Sequence, residues 1–190
     1  MKTTGPGQPF HMLLDVAALL TELGIPYAAV GGLAVSFHGS PRATHDADAV
    51  IWLRGTGKTE QDLVRRLTNA GYRTILRRGD IDDPISGVVV VEDAHANRVD
   101  LLLGIRGMDP KAAERSILAP LLGGTVSIVT AEDLIAMKLL AGGAQDMEDV
   151  RGILYVSGQR LDRELLKSLV EPYGPDVARQ LEALCSSDEL

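Results

Sequence analysis

Residues 31–54 read GGLAVSFHGSPRATHDADAVIWLR, and two aspartates, Asp46 and Asp48, stand one residue apart at the start of its last apolar run. The run predicts a β-strand, and alternate residues of a strand point to the same face, so both carboxylates project together. Like charges this close raise one pKa unless a cation lies between them. The stretch predicts a site for Mg²⁺, which prefers oxygen ligands. Two solvated acids at a strand end are the alternative, because so short a pattern also arises by chance.

A third acid and a glycine pair favour the metal site over that alternative. Asp100 lies in RVDLLLGI, an apolar run that predicts a buried strand, and a buried carboxylate needs a partner. If its strand lies beside that of Asp46 and Asp48, three carboxylates converge, as in sites where two metal ions assist phosphoryl displacement. Gly31 and Gly32 end a buried strand before a short helix, where backbone N–H groups can approach a phosphate.

Helical and strand periodicities alternate along the first two thirds of the chain, and helical patterns dominate the remainder. Helices are predicted at HMLLDVAALLTELG, GGLAVSFHG, KTEQDLVRRLTNAGY and TAEDLIAMKLLAGG. Strands are predicted at IPYAAV, DADAVIWL, YRTILR, GVVVVE, RVDLLLGI and TVSIV. This order predicts an α/β (α+β) fold with a mixed sheet of about five strands and packed helices. We expect an α/β core at residues 10–125 and a helical C-terminal region at 126–190.

Together, the glycine pair, the Asp-x-Asp and the later acid resemble the signature of nucleotidyltransferases with a polymerase-β-like fold. The similarity is greatest to the small bacterial stand-alone members of the toxin–antitoxin type, whose extended pattern "GGLAV…G.PR.T.D.D" is also present. The positions that match this extension are Gly39, Pro41, Arg42 and Thr44. A second block, TAEDLIAMKLLAGGAQDMEDVRGIL, looks like the region that these proteins carry after the catalytic half. Its matching residues are Lys138, Asp146 and Asp149.

The resemblance implies a two-metal mechanism. Two Mg²⁺ ions would be held by the three catalytic acids, Asp46, Asp48 and Asp100. The nucleoside triphosphate would be bound by a second set of residues: Gly31, Gly32, Arg42, Thr44, Lys138 and Asp146. One departure concerns the second block, where relatives often carry an arginine before the aspartate and this chain has Gly143 and Gln145.

The reaction implied is transfer of a nucleoside monophosphate from the triphosphate to a hydroxyl acceptor, with release of pyrophosphate. An RNA end or a protein side chain is the favoured acceptor. The resemblance to toxin–antitoxin members also implies that the protein acts as a toxin and has a cognate antitoxin as partner. An aminoglycoside-like acceptor, or a catalytically degenerate binding module, are the alternatives. A haloacid-dehalogenase-like phosphatase is disfavoured, because there the apolar strand precedes the acids. Asp-x-Asp glycosyltransferases need a larger nucleotide-sugar domain.

Composition limits the partners. Lys and Arg number 19 against 26 Asp and Glu, a net charge of −7, whereas phosphate-backbone binding favours the opposite balance. Five arginines in RRLTNAGYRTILRR form either a solvated face or a polyanion patch. No apolar run is long enough to span a membrane. A lone cysteine, Cys185, fits a reducing compartment, and we expect a cytoplasmic protein. His38, His45 and His95 lack a regular metal-ligand spacing.

Overall fold

The structure, a computed structural model, describes residues 3–187 except 40, 42, 81 and 82. Its strands are β1 (Tyr27–Val30), β2 (Ala47–Ile51), β3 (Arg73–Arg78), β4 (Gly87–Glu92), β5 (Arg98–Leu102), β6 (Ile117–Leu121) and β7 (Gly124–Ile128). Its helices are α1 (Pro9–Leu23), α2 (Gly31–His38), α3 (Glu60–Asn69), α4 (Ala112–Arg115), α5 (Ala131–Ala141), α6 (Ala144–Ser157), α7 (Arg163–Val170) and α8 (Pro175–Ser187). Short 3-10 turns follow α6 and α7.

The strands of the described chain form one sheet in the order β3-β4-β5-β2-β1-β7-β6. The pairs β2–β5 and β1–β7 are parallel and the others antiparallel, so the predicted mixed α/β fold is confirmed. The sheet has seven strands rather than about five. The strand β6 was not predicted, because Pro120 lacks an N–H and argues against a strand interior. An edge position tolerates it, since β6 pairs only with β7.

Local signals explain where the helices begin and end. Helix α1 starts with Pro9 in its first turn and stops at Gly24, which adopts the left-handed conformation (φ 67°). Helix α3 starts with a capping box in which Thr59 and Asp62 satisfy each other's backbone N–H groups. Helix α5 is capped by the Thr130 hydroxyl, which accepts from the backbone N–H of Asp133. These signals were readable in the sequence.

The helices surround the strands that carry the candidate site. Helix α1 packs on β2, β5, β7 and α3, while α2 packs on β1, β2, α5 and α6. Helix α5 contacts α6, α7 and α8, and buried side chains of both halves belong to one hydrophobic cluster. Strand β7 spans the expected boundary between residues 125 and 126, and the division into two domains stays a prediction. Among the described residues, no helix is long and apolar enough to cross a membrane.

Candidate active site

The structure brings the strands of the predicted acids side by side. Strands β2 and β5 are parallel neighbours, and Asp48 stands directly opposite Asp100 in their register. Asp46 lies just before β2 and is exposed, whereas Asp48 and Asp100 are half-buried. The separation in sequence between Asp48 and Asp100 is therefore closed by sheet pairing alone.

The electrostatics of Asp48 reflect this crowding. Burial, followed by the nearby charges of Asp100 and Asp46, raises the pKa of Asp48 to about 6. Arg98 and Lys138 act in the opposite direction, but they do not cancel the rise. Asp48 thus experiences an excess of negative charge that a bound cation would relieve.

The two glycines are required by close approach of the chain. Gly31 has a φ of 59°, and a Cβ built on it would overlap the Asp48 carboxylate. A Cβ on Gly32 would lie 2.7 Å from the Cβ of Thr44. The Thr44 hydroxyl in turn donates to the carbonyl of Asp46 over 3.0 Å. The start of α2 is therefore packed directly against the loop and strand that carry the acids.

Arg98 is a member of the site that the sequence interpretation missed. Its Nε donates to Oδ1 of Asp100 over 2.7 Å, and its Nη2 donates to Oδ2 over 2.6 Å. The two residues are two apart on β5 and therefore share a face of the strand. That spacing, applied to charged residues of opposite sign, was the signal that could have revealed the pair.

The second sequence block forms a buried ion cluster. Lys138 is 7% exposed, and its Nζ lies 2.7 Å from a carboxylate oxygen of Asp146 and 2.7 Å from one of Asp149. Gln145 donates to Asp149 over 3.2 Å. The ammonium group does not reach the surface, although a lysine on an apolar helix face often extends its charged end into water. It is near enough to Asp48 to lower that residue's pKa.

Arg42 and the histidines are the other residues that the sequence singled out. Arg42 lies outside the described residues. His38 is buried and its Nε2 donates to the carbonyl of Val129 over 2.7 Å, while burial lowers its pKa. In the part of the chain that the structure describes, no three His, Cys, Asp or Glu side chains are grouped as a ready metal site. The donor set of Asp46, Asp48 and Asp100 nevertheless fits Mg²⁺, because it offers carboxylate oxygens in an environment with excess negative charge.

The arginine-rich segment does not present a bare basic surface. Four of its arginines pair with carboxylates at 2.5 to 2.9 Å, in the pairs Arg65–Asp62, Arg66–Glu22, Arg73–Glu92 and Arg78–Glu60. In each pair the carboxylate offsets the positive charge of the arginine, which would otherwise be available to bind a phosphate backbone. Pairing with acids was not part of the sequence prediction, which weighed a solvated face against a polyanion patch.

No family model and no curated protein sequence matches this chain. Its fold, however, matches solved structures. An antigenic nucleotidyltransferase-like protein from Paracoccidioides brasiliensis aligns over 96% of this chain and 93% of its own, at 16% identity and a TM-score of 0.57. The antibiotic-resistance factor ANT(2'')-Ia aligns over 94% and 95%, at 14% identity and a TM-score of 0.58.

A third solved structure with a similar fold is also described as a nucleotidyltransferase. This putative nucleotidyltransferase from Thermotoga maritima aligns over 78% of this chain and 94% of its own, at 14% identity and a TM-score of 0.53. The chain has the nucleotidyltransferase fold. In this fold the strands β2 and β5 carry Asp48 and Asp100 in register, which is the arrangement that the sequence resemblance implied.

Proposed function

We propose that this protein is a Mg²⁺-dependent nucleotidyltransferase. The observation that carries the proposal is the register of Asp48 with Asp100 on adjacent parallel strands, with Asp46 two residues from Asp48, within a nucleotidyltransferase fold. The rise in the pKa of Asp48, caused first by burial and then by the charges of Asp100 and Asp46, supports it, because strongly perturbed pKa values cluster at functional sites. Mg²⁺ bound by these three acids would neutralise charge on the triphosphate and the reacting oxygens.

The chemical step is an in-line displacement at the α-phosphate. The acceptor oxygen forms a bond to the α-phosphorus, the bond from that phosphorus to the bridging oxygen breaks, and pyrophosphate leaves. The proton of the acceptor hydroxyl goes to a carboxylate oxygen of Asp100. Asp100 is the best placed of the three acids, because Asp46 and Asp48 are proposed to hold both metal ions, whereas Asp100 would hold only the ion on the acceptor side. Both Asp100 oxygens accept from Arg98 in this structure, so the proton goes to a lone pair that Arg98 leaves open or replaces one of these hydrogen bonds.

The start of α2 is the proposed triphosphate cradle. Val30 occupies the cap position and has no side-chain oxygen, so the first backbone N–H groups of α2 keep their donor capacity for an anion. Gly31 and Gly32 permit close approach at this point, and Thr44 packs beside them. Arg42 and Lys138 are proposed to add positive charge toward the phosphates. For Lys138, this role requires exchange of Asp146 or Asp149 for phosphate.

Two classes of molecule are candidates for the acceptor of the nucleotidyl group. An RNA end or a protein side chain, with a cognate antitoxin as partner and a cytoplasmic setting, follows from the sequence resemblance. The net charge of −7 and the paired arginines favour instead a second candidate, a cationic polyhydroxylated small molecule. The structure of ANT(2'')-Ia with adenylyl-2''-tobramycin is a neighbour of this chain at 17% identity and a TM-score of 0.55. We therefore rank this candidate above RNA.

Binding of a nucleoside triphosphate is the first expected result. We expect at least one of MgATP, MgCTP, MgGTP and MgUTP to bind with a Kd of about 1 µM to 1 mM, in the range of ordinary enzyme substrates. Binding should disappear when the metal is removed with EDTA. Isothermal titration calorimetry with all four triphosphates measures it. Lack of binding by all four contradicts the proposal and favours the degenerate binding module.

A further inference from the structure

Arg98 is held in a geometry that occupies both oxygens of Asp100. The two hydrogen bonds, 2.7 and 2.6 Å long, are parallel bonds from one guanidinium to one carboxylate. Such bidentate, charge-assisted pairs are among the stronger polar interactions of proteins. The Arg98 side chain is 34% exposed and that of Asp100 is 16% exposed, so the pair is only partly screened by water. Arg98 thus occupies one lone-pair site on each oxygen of an acid that would otherwise offer all of these sites to a cation.

The charges around Arg98 come from three strands and a helix. On β5 it faces Asp100, and Asp46 and Asp48 of the neighbouring β2 segment interact with it electrostatically. On the other side, Glu92 of β4 is its direct cross-strand partner and also attracts it. Glu92 already contacts Arg73 at 2.9 Å, and Lys138 of α5 contributes positive charge near Asp48. Arg98 therefore lies between the acid cluster and a second carboxylate that can receive it.

We propose that Arg98 is a built-in counter-cation that competes with divalent metal ions for Asp100 and so sets the metal affinity of the acid cluster. With no metal bound, the guanidinium stabilises the crowded carboxylates. When a divalent cation binds, Arg98 gives up at least one Asp100 oxygen and shifts toward Glu92. This inference rests on the proposed function, since it assumes that the same three acids bind the metal. Arg98 acts through Asp100 and is a positioning residue.

The expected effect of removing the guanidinium has a definite sign. Substitution of Arg98 by a neutral residue removes one positive charge beside the acids and frees both oxygens of Asp100. Both changes favour a divalent cation, so the affinity should increase by about tenfold, the equivalent of one good charge-assisted contact. Arg98→Lys keeps the charge but loses the planar fork, and should increase the affinity by about threefold. A residue that only supported the fold would produce no increase.

Titration of nucleotide-free protein with Mn²⁺ tests this directly. Mn²⁺ shares the preference of Mg²⁺ for oxygen ligands, and the free ion is quantified by electron paramagnetic resonance. We expect Arg98→Gln to bind Mn²⁺ about tenfold more tightly than the wild type. Arg66→Gln is the matched control, because it removes the same charge from a pair with Glu22 elsewhere on the surface, and its Kd should equal that of the wild type.

Thermal unfolding with and without Mn²⁺ gives a second readout. Arg98→Gln should melt at a lower temperature than the wild type without metal, and saturating Mn²⁺ should raise its Tm more than it raises that of the wild type. An unchanged or weaker Mn²⁺ affinity in Arg98→Gln and Arg98→Lys overturns the inference, as does absence of Mn²⁺ binding in every variant. If affinity rises but no triphosphate is turned over, the inference stands and the proposed function fails. If the wild type transfers nucleotide but the Mn²⁺ affinity of the Arg98 variants does not rise, the proposed function stands and the inference about Arg98 fails.

Discussion

Asp100→Asn should abolish nucleotidyl transfer while leaving triphosphate binding largely intact. The substitution keeps the shape of the side chain and removes its charge, so the proton of the acceptor hydroxyl loses its proposed acceptor. Loss of a general base typically costs about 10²- to 10⁴-fold in rate, and the lost metal ligand adds to that. We therefore expect kcat to fall at least about a thousandfold. Transfer of label from an α-labelled triphosphate measures the rate, and calorimetry measures binding.

Two other substitutions make that result specific. Asp48→Asn should damage both binding and transfer, because Asp48 is proposed to contact both metal ions. Asp176→Asn makes the same chemical change on an exposed residue of α8 that pairs with Arg179, and it should leave both quantities unchanged. If Asp100→Asn transfers label at the wild-type rate, the role assigned to Asp100 is wrong.

Lys138→Met should cost about 3–5 kcal/mol of unfolding free energy. Lys138 lies between Asp146 and Asp149, and the Asp149 side chain is only 3% exposed. Methionine fills similar volume but leaves these carboxylates without their cation, and an uncompensated buried charge is strongly destabilising. Urea denaturation of both proteins at neutral pH gives the difference in free energy.

The control for Lys138→Met is a lysine in an exposed pair. Lys167 pairs with Glu164 at 3.3 Å, with 65% and 86% of the two side chains exposed, so Lys167→Met should cost less than about 1 kcal/mol. Adding Asp149→Asn to Lys138→Met should recover part of the lost stability, because it removes a stranded charge. A loss below about 1 kcal/mol for Lys138→Met contradicts this stabilising role of the lysine.

The part of the site that could be predicted depended on regular strand geometry. Strand alternation predicted that Asp46 and Asp48 lie close together, although β2 begins only at Ala47, and a charge within an apolar run made Asp100 conspicuous. The Gly31-Gly32 pair indicated close chain approach, which the structure explains through Asp48 and Thr44.

The features that the sequence did not predict depended on contacts with residues of other elements, or on the ability of an edge strand to contain a proline. Lys138 was expected to contact phosphate, whereas two acids of the next helix hold it inside. The partner of Arg98 was two residues away, yet the pair gained importance only because β2 brings Asp48 beside it. Strand β6 was missed because the restriction that Pro120 imposes on a strand is relaxed at the edge of a sheet.

The central claim is that this protein transfers a nucleotidyl group, and the fate of labelled phosphates tests it most directly. The protein is incubated with Mg²⁺ and a triphosphate labelled at either the α or the γ position, together with a cationic aminoglycoside panel, total RNA or cell protein. We expect the α label to appear on an acceptor and the γ label to appear in pyrophosphate, both dependent on Asp100. Transfer of the γ label to the acceptor, or absence of label on every acceptor with all four triphosphates, contradicts the account.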